Sequence, residues 1–260
     1  MTLTQSPDIK ACRAYAKQGF NRVPIFRTVL ADTETPLSAY NKLARGPNSF
    51  LFESVQGGER WGRYSIIGLP ASHWLAVNGY TVDIYDDGER VQSFEVEDPL
   101  AFVEEYRAKF KSAPLPGLPV FFGGFVGYFG YDTVRYVEPR LRQHSLEDEL
   151  GVPDILLCLA EEVLIFDNLA GTLTLVVNAN LEASESFERA QHRLDELVAM
   201  LDEAVVPLDH LSLTLPDSVP LEEHAQFSTT REQFEAAVAR IREYILAGDV
   251  MQVVLSHRLS

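Results

Sequence analysis

Cysteine is scarce in this 260-residue chain: Cys12 and Cys158 are the only two. They lie far apart, and neither sits in a Cys-x-x-Cys or Cys/His spacing, so a disulfide scaffold and a zinc site are both poorly supported. Both thiols are expected to be reduced and at least partly buried. Positive charge is also short, with 22 Lys and Arg against 38 Asp and Glu and a formal net charge of −16. Such a field repels phosphate backbones and argues against nucleic-acid binding. A small anionic substrate remains open, because local cations override a distant net charge. No run approaches the roughly 18 apolar residues of a membrane span. Residues 1–10 lack the basic start and apolar stretch of a secretion signal. These absences predict a cytoplasmic protein with no membrane association.

Local catalytic signatures are missing as well. Gly-x-x-x-x-Gly-Lys-[Ser/Thr], a Gly-x-Gly-x-x-Gly turn between strand and helix, and Gly-x-Ser-x-Gly are all absent. The six histidines are scattered without metal-ligand spacing, and acidic runs such as Glu147-Asp-Glu149 read as solvated loop. No metal site is expected from these residues. What is present is ordinary for a globular protein: 46% hydrophobic, 10% aromatic and 23% charged residues, enough for one large core or two small ones.

The pattern along the chain is mixed. Helices are expected near Asp8 to Gly19 and after Thr35-Pro36, the latter stopped by Gly46-Pro47. Ser49 to Ser54 reads as a strand, broken by Gly57-Gly58, with Tyr64 to Gly68 as its returning partner. Alternation places Phe50, Phe52 and Ser54 on one face, and Leu51 and Glu53 on the other. Trp74 to Val77 and Tyr80 to Tyr85 flank Asn78-Gly79, which suggests a type I′ hairpin; Asp87-Gly88 leads into a third strand, Arg90 to Val96. Asp98 caps a helix starting at Pro99. The glycines of Val120 to Gly130 are read as permitting close packing among aromatics. Strands are expected over Ile155 to Phe166, in broken form, and over Thr172 to Asn178, followed by a helix over residues 183–204. Thr229 or Thr230 opens a last helix, ended by Gly248, and Val250 to Leu255 is expected to be a strand. The implied architecture is α+β. The expected organisation is a first domain over 1–204, a linker over 205–228, and the truncated start of a second domain over 229–260.

Four segments carry a family resemblance. Phe50-Leu-Phe-Glu-Ser54 with Gly57-Gly-Glu-Arg-Trp-Gly-Arg-Tyr-Ser-Ile-Ile-Gly68 resembles the N-terminal signature of anthranilate synthase component I. Phe122 to Arg135 is similar to that family's glycine-aromatic block, and Pro153-Asp-Ile through Phe166-Asp-Asn168 to its third. Arg231-Glu-Gln-Phe234 through Gly248-Asp-Val-Met-Gln-Val-Val-Leu-Ser256 resembles the entry into its chorismate-binding domain. The resemblance implies antiparallel, roughly orthogonal β-sheets flanked by helices. It also implies that the chain is the front portion of a protein about twice as long.

The family converts chorismate and ammonia to anthranilate and pyruvate with Mg2+, and its ammonia comes from a glutamine amidotransferase subunit. The resemblance implies that the ligands of the metal, and most of those of chorismate, lie beyond Ser260. It assigns tryptophan feedback to the first domain, with Glu53 and Ser54 as binding residues and Arg63, Tyr64 and Ser65 as weaker candidates. Glu53 suits an ammonium group and Ser54 a polar edge. Their side chains diverge on a strand, so at least one of them acts through its backbone or a local bulge. Gln252 is the catalytic candidate: related water-using enzymes carry a lysine base there, whereas ammonia needs no deprotonation. Two alternatives stay open, an aminodeoxychorismate synthase large subunit and a non-catalytic tryptophan-binding or interaction module.

Overall fold

The computed structural model describes residues 5–53, 62–142, 148, 150–203 and 225–260. The chain divides into two compact units, Met1–Pro207 and Leu208–Ser260.

The first unit is built on two five-stranded antiparallel sheets. Its strands are β1 (Arg22–Leu30), β2 (Phe50–Phe52), β3 (Tyr64–Gly68), β4 (His73–Asn78), β5 (Thr81–Asp86), β6 (Glu89–Glu95), β7 (Gly124–Phe129), β8 (Ile155–Ala160), β9 (Glu162–Asp167) and β10 (Thr172–Asn180). The first sheet runs β1-β10-β9-β3-β2 and the second β6-β5-β4-β8-β7. With helices α1 (Ile9–Lys17), α2 (Pro36–Leu43), α3 (Pro99–Arg107), the single turn α4 (Val134–Val137) and α5 (Ser186–Leu201), this is the expected α+β fold.

Helix positions follow from their caps and stripes. Thr35 and Ser38 form a reciprocal capping box that spans Pro36. The Asp98 carboxylate accepts hydrogen bonds from the Leu100 and Ala101 N–H groups at 3.0 Å each. On α5, Ala190, Leu194, Leu197 and Leu201 form a buried stripe against one face of the first sheet. Each leucine there contributes about 2 kcal/mol of hydrophobic stabilisation. The other face of that sheet holds Phe26, Val163, Ile165 and Val176, joined by Ala160 and Val126 of the second sheet. The second sheet covers its own outer face with Val103 and Tyr106 of α3.

The break expected within Ile155 to Phe166 is a change of sheet. Glu161 alone separates β8, in the second sheet, from β9, in the first. Arg22 Nε donates to Glu161 Oε1 at 2.8 Å. The Asn178 side-chain amide donates to the carbonyls of Glu161 and Phe122, tying the corner to the glycine-rich segment.

Four local expectations are corrected. β1 was not expected; Pro24 obscures its apolar character, and proline is tolerated because β1 is an edge strand. At the first hairpin Asn78 pairs with Thr81, so Gly79 and Tyr80 are the central residues, and only Gly79 has positive φ. That fits type II′ rather than type I′; the Asp87-Gly88 turn, with both φ positive, fits type I′. The close packing that needs glycine is between strand backbones: a β-carbon on Gly127 would lie 1.8 Å from the Leu156 carbonyl oxygen. In the second unit, the strand expected over Val250 to Leu255 is absent.

There, helix α6 (Arg231–Ala247) opens on a Thr230–Gln233 capping box and ends at Gly248, with φ +81°. A ladder at Val250 to Leu255 needs a neighbour, and among the described residues of this unit the only bridge joins Phe227 and Leu259.

Candidate functional site

β2 is a three-residue edge strand, and its pairing sets the geometry of the candidate site. Phe50 lies opposite Gly68, Leu51 opposite Ile67 and Phe52 opposite Ile66. The Phe50 ring covers Gly68 so closely that a β-carbon there would lie 2.0 Å from its Cε1 atom. Phe50 and Phe52 share a face, with ring centroids 4.8 Å apart, and Phe121 meets Phe50 edge-on at 6.4 Å. Leu51 points the other way, into the helix-side core. The expected alternation therefore holds over residues 50–52.

Along this face the chain passes from apolar to exposed. Phe50, Tyr64 and Ile66 pack on the cluster between the sheets, whereas Phe52 is 54% exposed. Glu53 is next in the chain, on the opposite face by alternation; it is exposed and has no ion-pair partner among the described residues. Ser54 lies outside the described residues.

The returning strand distributes its three candidates differently. Arg63 immediately precedes β3, at the same end of the pair as Glu53. Its guanidinium grips the Asp167 carboxylate, with Nε to Oδ1 at 3.0 Å and Nη2 to Oδ2 at 2.6 Å, and lies 5.0 Å over the Tyr64 ring. Tyr64 joins the cluster between the sheets. Ser65 alternates to the opposite face and is 2% exposed; its Oγ accepts from Asn168 Nδ2 at 3.2 Å. So Glu53, Arg63 and Tyr64 come to one end of β2–β3; alternation gives Tyr64 the face of Phe50 and Phe52, and gives Ser65 the face of Leu51 and Glu53.

Asp167 and Asn168 went unassigned in the sequence reading, although Phe166-Asp-Asn168 closes one of the quoted motifs. Burial alone would raise the Asp167 carboxyl, but hydrogen bonds from Arg63 and the Ala170 N–H, with the Arg63 charge, outweigh it and hold it below the ordinary carboxylate range. Two further places are lined by polar groups. A pocket of about 140 Å³ at the β8–β9 corner is lined by Arg22, Glu161 and Asn178, and the Asn178 Oδ1 atom is buried without a partner among the described residues. In the second unit, Phe227, Thr229, Phe234 and His257 line a cavity of about 520 Å³. Gln252 is exposed in that unit. Among the described residues no group of three His, Cys, Asp or Glu side chains converges to hold a metal ion, so none of them is assigned to Mg2+. No described helix is long and apolar enough to cross a membrane.

Comparison with known proteins connects these features to a family. The family described as chorismate binding enzyme matches residues 51–260. Anthranilate synthase component 1 of Pseudomonas putida is 53% identical over 245 residues, covering 94% of this chain and 49% of that protein. The Neisseria gonorrhoeae protein of the same name is 45% identical over 252 residues, covering 95% and 50%. The crystal structure of anthranilate synthase component I from Streptococcus pneumoniae superposes with a TM-score of 0.57 at 25% identity, covering 89% of this chain and 48% of that one. The chain thus spans about half the length of these relatives. With the motifs, the fold and a family match over most of its residues in agreement, this chain belongs to the chorismate binding enzymes.

Proposed function

We propose that the chain is the N-terminal portion of an anthranilate synthase component 1, which forms anthranilate and pyruvate from chorismate and ammonia. The observation that carries this reading is the 53% identity to a component 1 sustained over 94% of the chain. In the proposed protein a glutamine amidotransferase subunit supplies ammonia in the cytoplasm. Magnesium, held outside this chain, offsets the charge of the substrate carboxylates and the departing hydroxyl when it is bound. Gln252 fits an ammonia-using member: its neutral amide removes no proton, and ammonia attacks without activation.

The first unit is proposed to sense L-tryptophan at the open end of β2–β3. Phe50, Phe52 and Tyr64 offer an apolar wall for an indole, and Glu53, at the end of the same strand, a carboxylate with no partner among the described residues for an ammonium group. Ser54 is proposed from the sequence motif to supply a hydrogen-bonding edge. Sensing at this end and chemistry elsewhere are then coupled by differential binding between two states.

The test is an assay of the native-length protein with chorismate, ammonium and Mg2+, following anthranilate fluorescence with and without tryptophan. Anthranilate formation that falls as tryptophan rises is the expected result. Formation of aminodeoxychorismate in its place sinks the proposal. Ser54→Phe, which adds bulk and removes a hydroxyl, should weaken tryptophan inhibition roughly tenfold or more. Inhibition curves that coincide with wild type remove Ser54 from the site.

A further inference from the structure

We infer that Asp167 and Asn168 are positioning residues for tryptophan sensing, and that Arg63 is their clamp rather than a cation that touches the ligand. This rests on the reading that the β2–β3 end binds tryptophan. The register between β3 and β9 ends at Tyr64 opposite Asp167. Beyond it, the turn after β9 keeps hold of the chain by other bonds. The Asn168 N–H donates to the Arg63 carbonyl at 2.8 Å, and its side-chain amide donates to the Gly62 carbonyl and to Ser65 Oγ, each at 3.2 Å. Asp167 adds the two-pronged contact with Arg63. Two consecutive residues, Gly62 and Arg63, are thus fixed past the point where sheet pairing would hold them.

The turn making these contacts is itself closed. Asp167 Oδ1 accepts from the Leu169 and Ala170 N–H groups at 3.2 and 3.1 Å, and the Gly171 N–H donates to the Asp167 carbonyl at 2.8 Å. Gly171 supplies the positive φ of +64° that this closure uses. A pre-formed turn holds Gly62 and Arg63 without being ordered by them, which is what a ligand site requires of its supports. Arg63, meanwhile, has its forked edge filled by Asp167 and its face against Tyr64. A ligand carboxylate would have to displace Asp167 to gain that edge.

The two roles for Arg63 predict opposite signs. If Arg63 met the tryptophan carboxylate directly, Asp167→Asn would free its guanidinium and leave binding unchanged or tighter. If Arg63 is a clamp, Asp167→Asn weakens binding. The experiment uses the native-length protein and measures tryptophan affinity by calorimetry, chorismate kcat and KM without tryptophan, and melting temperature. The expected result is a rise of about tenfold in tryptophan Kd for Asp167→Asn and for Asn168→Ala, with chorismate kcat and KM kept. Arg63→Lys added to Asp167→Asn should weaken binding little further, because the two residues act as one unit. Unchanged or tighter binding in Asp167→Asn overturns the inference, as does a loss accompanied by equal changes in chorismate kcat or KM. Asn168→Ala carries the test alone if Asp167→Asn does not fold. A wild-type protein that binds no tryptophan overturns the sensing proposal and this inference with it; binding that is normal in wild type and both variants overturns this inference only.

Discussion

Gly127 of β7 lies against the backbone of Leu156 of β8, with no room for even a methyl group between them. The obstacle is a carbonyl in the middle of a ladder, which cannot swing aside as a side chain could. Gly127→Ala should therefore push β7 off β8 and destabilise the first unit by about 3 kcal/mol. Urea unfolding checks this, with the shift read at constant slope. Gly68→Ala offers a contrast, since the group in its way is the Phe50 ring. It should cost less stability and disturb the candidate site more, by displacing Phe50.

Glu53→Gln keeps the size of the side chain and removes its charge. Loss of a charge-assisted hydrogen bond, at about 1.5–3 kcal/mol, should raise the tryptophan dissociation constant by tenfold or more. Calorimetric titration of the native-length protein reads this directly. An unchanged affinity would mean that Glu53 is a solvated strand end.

The Asp167–Arg63 pair gives a signed dependence on pH. The folded-state pKa of Asp167 is depressed, so its contribution is present above the unfolded value near pH 4 and is lost as pH falls through the folded value. Wild type should lose stability relative to Asp167→Asn below about pH 4, and the difference should be constant between pH 5 and 7. Denaturation midpoints of the two proteins across this range provide the check.

Cys12 and Cys158 are both free and buried, and burial pushes both thiols up from their ordinary range. At pH 7 neither should react with iodoacetamide on a timescale of minutes, and both should react once the protein is unfolded. Mass spectrometry counts the adducts. Labelling of the native chain would mean that α1 or the second sheet opens readily.

This 260-residue chain by itself should form no anthranilate from chorismate, ammonium and Mg2+. Fluorescent product from the purified chain would show that its own residues suffice for turnover.

Much of the fold was legible because its signals are local. Thr35-Pro36, Asp98-Pro99 and Thr230 with Gln233 announce helix starts through hydrogen bonds made within four residues. Phe50 and Phe52 share a face because strand geometry requires it. What stayed hidden depends on distant partners. β1 needs β10 to become a strand, and the change of sheet at Glu161 needs Arg22 and Asn178. In the candidate site, Glu53 and Arg63 came from motif resemblance. Asp167 and Asn168 are 104 and 103 positions from the Arg63 and Ser65 side chains they bind, beyond the reach of periodicity or capping rules.

The pairing of β1 with β10 also governs when the fold can close. Arg22 and Asn180, joined by side chains as well as by register, are 158 positions apart. At about 5–20 residues per second, β1 leaves the ribosome roughly 10–30 s before its sheet neighbour β10 exists. Until then Val23, Ile25 and Phe26 have no ladder to join and no finished sheet to shelter them. A sheet closed by its two sequence extremes folds slowly for its size, since the largest loop must be ordered before those contacts form. The first strand to be made is among the last to find its place.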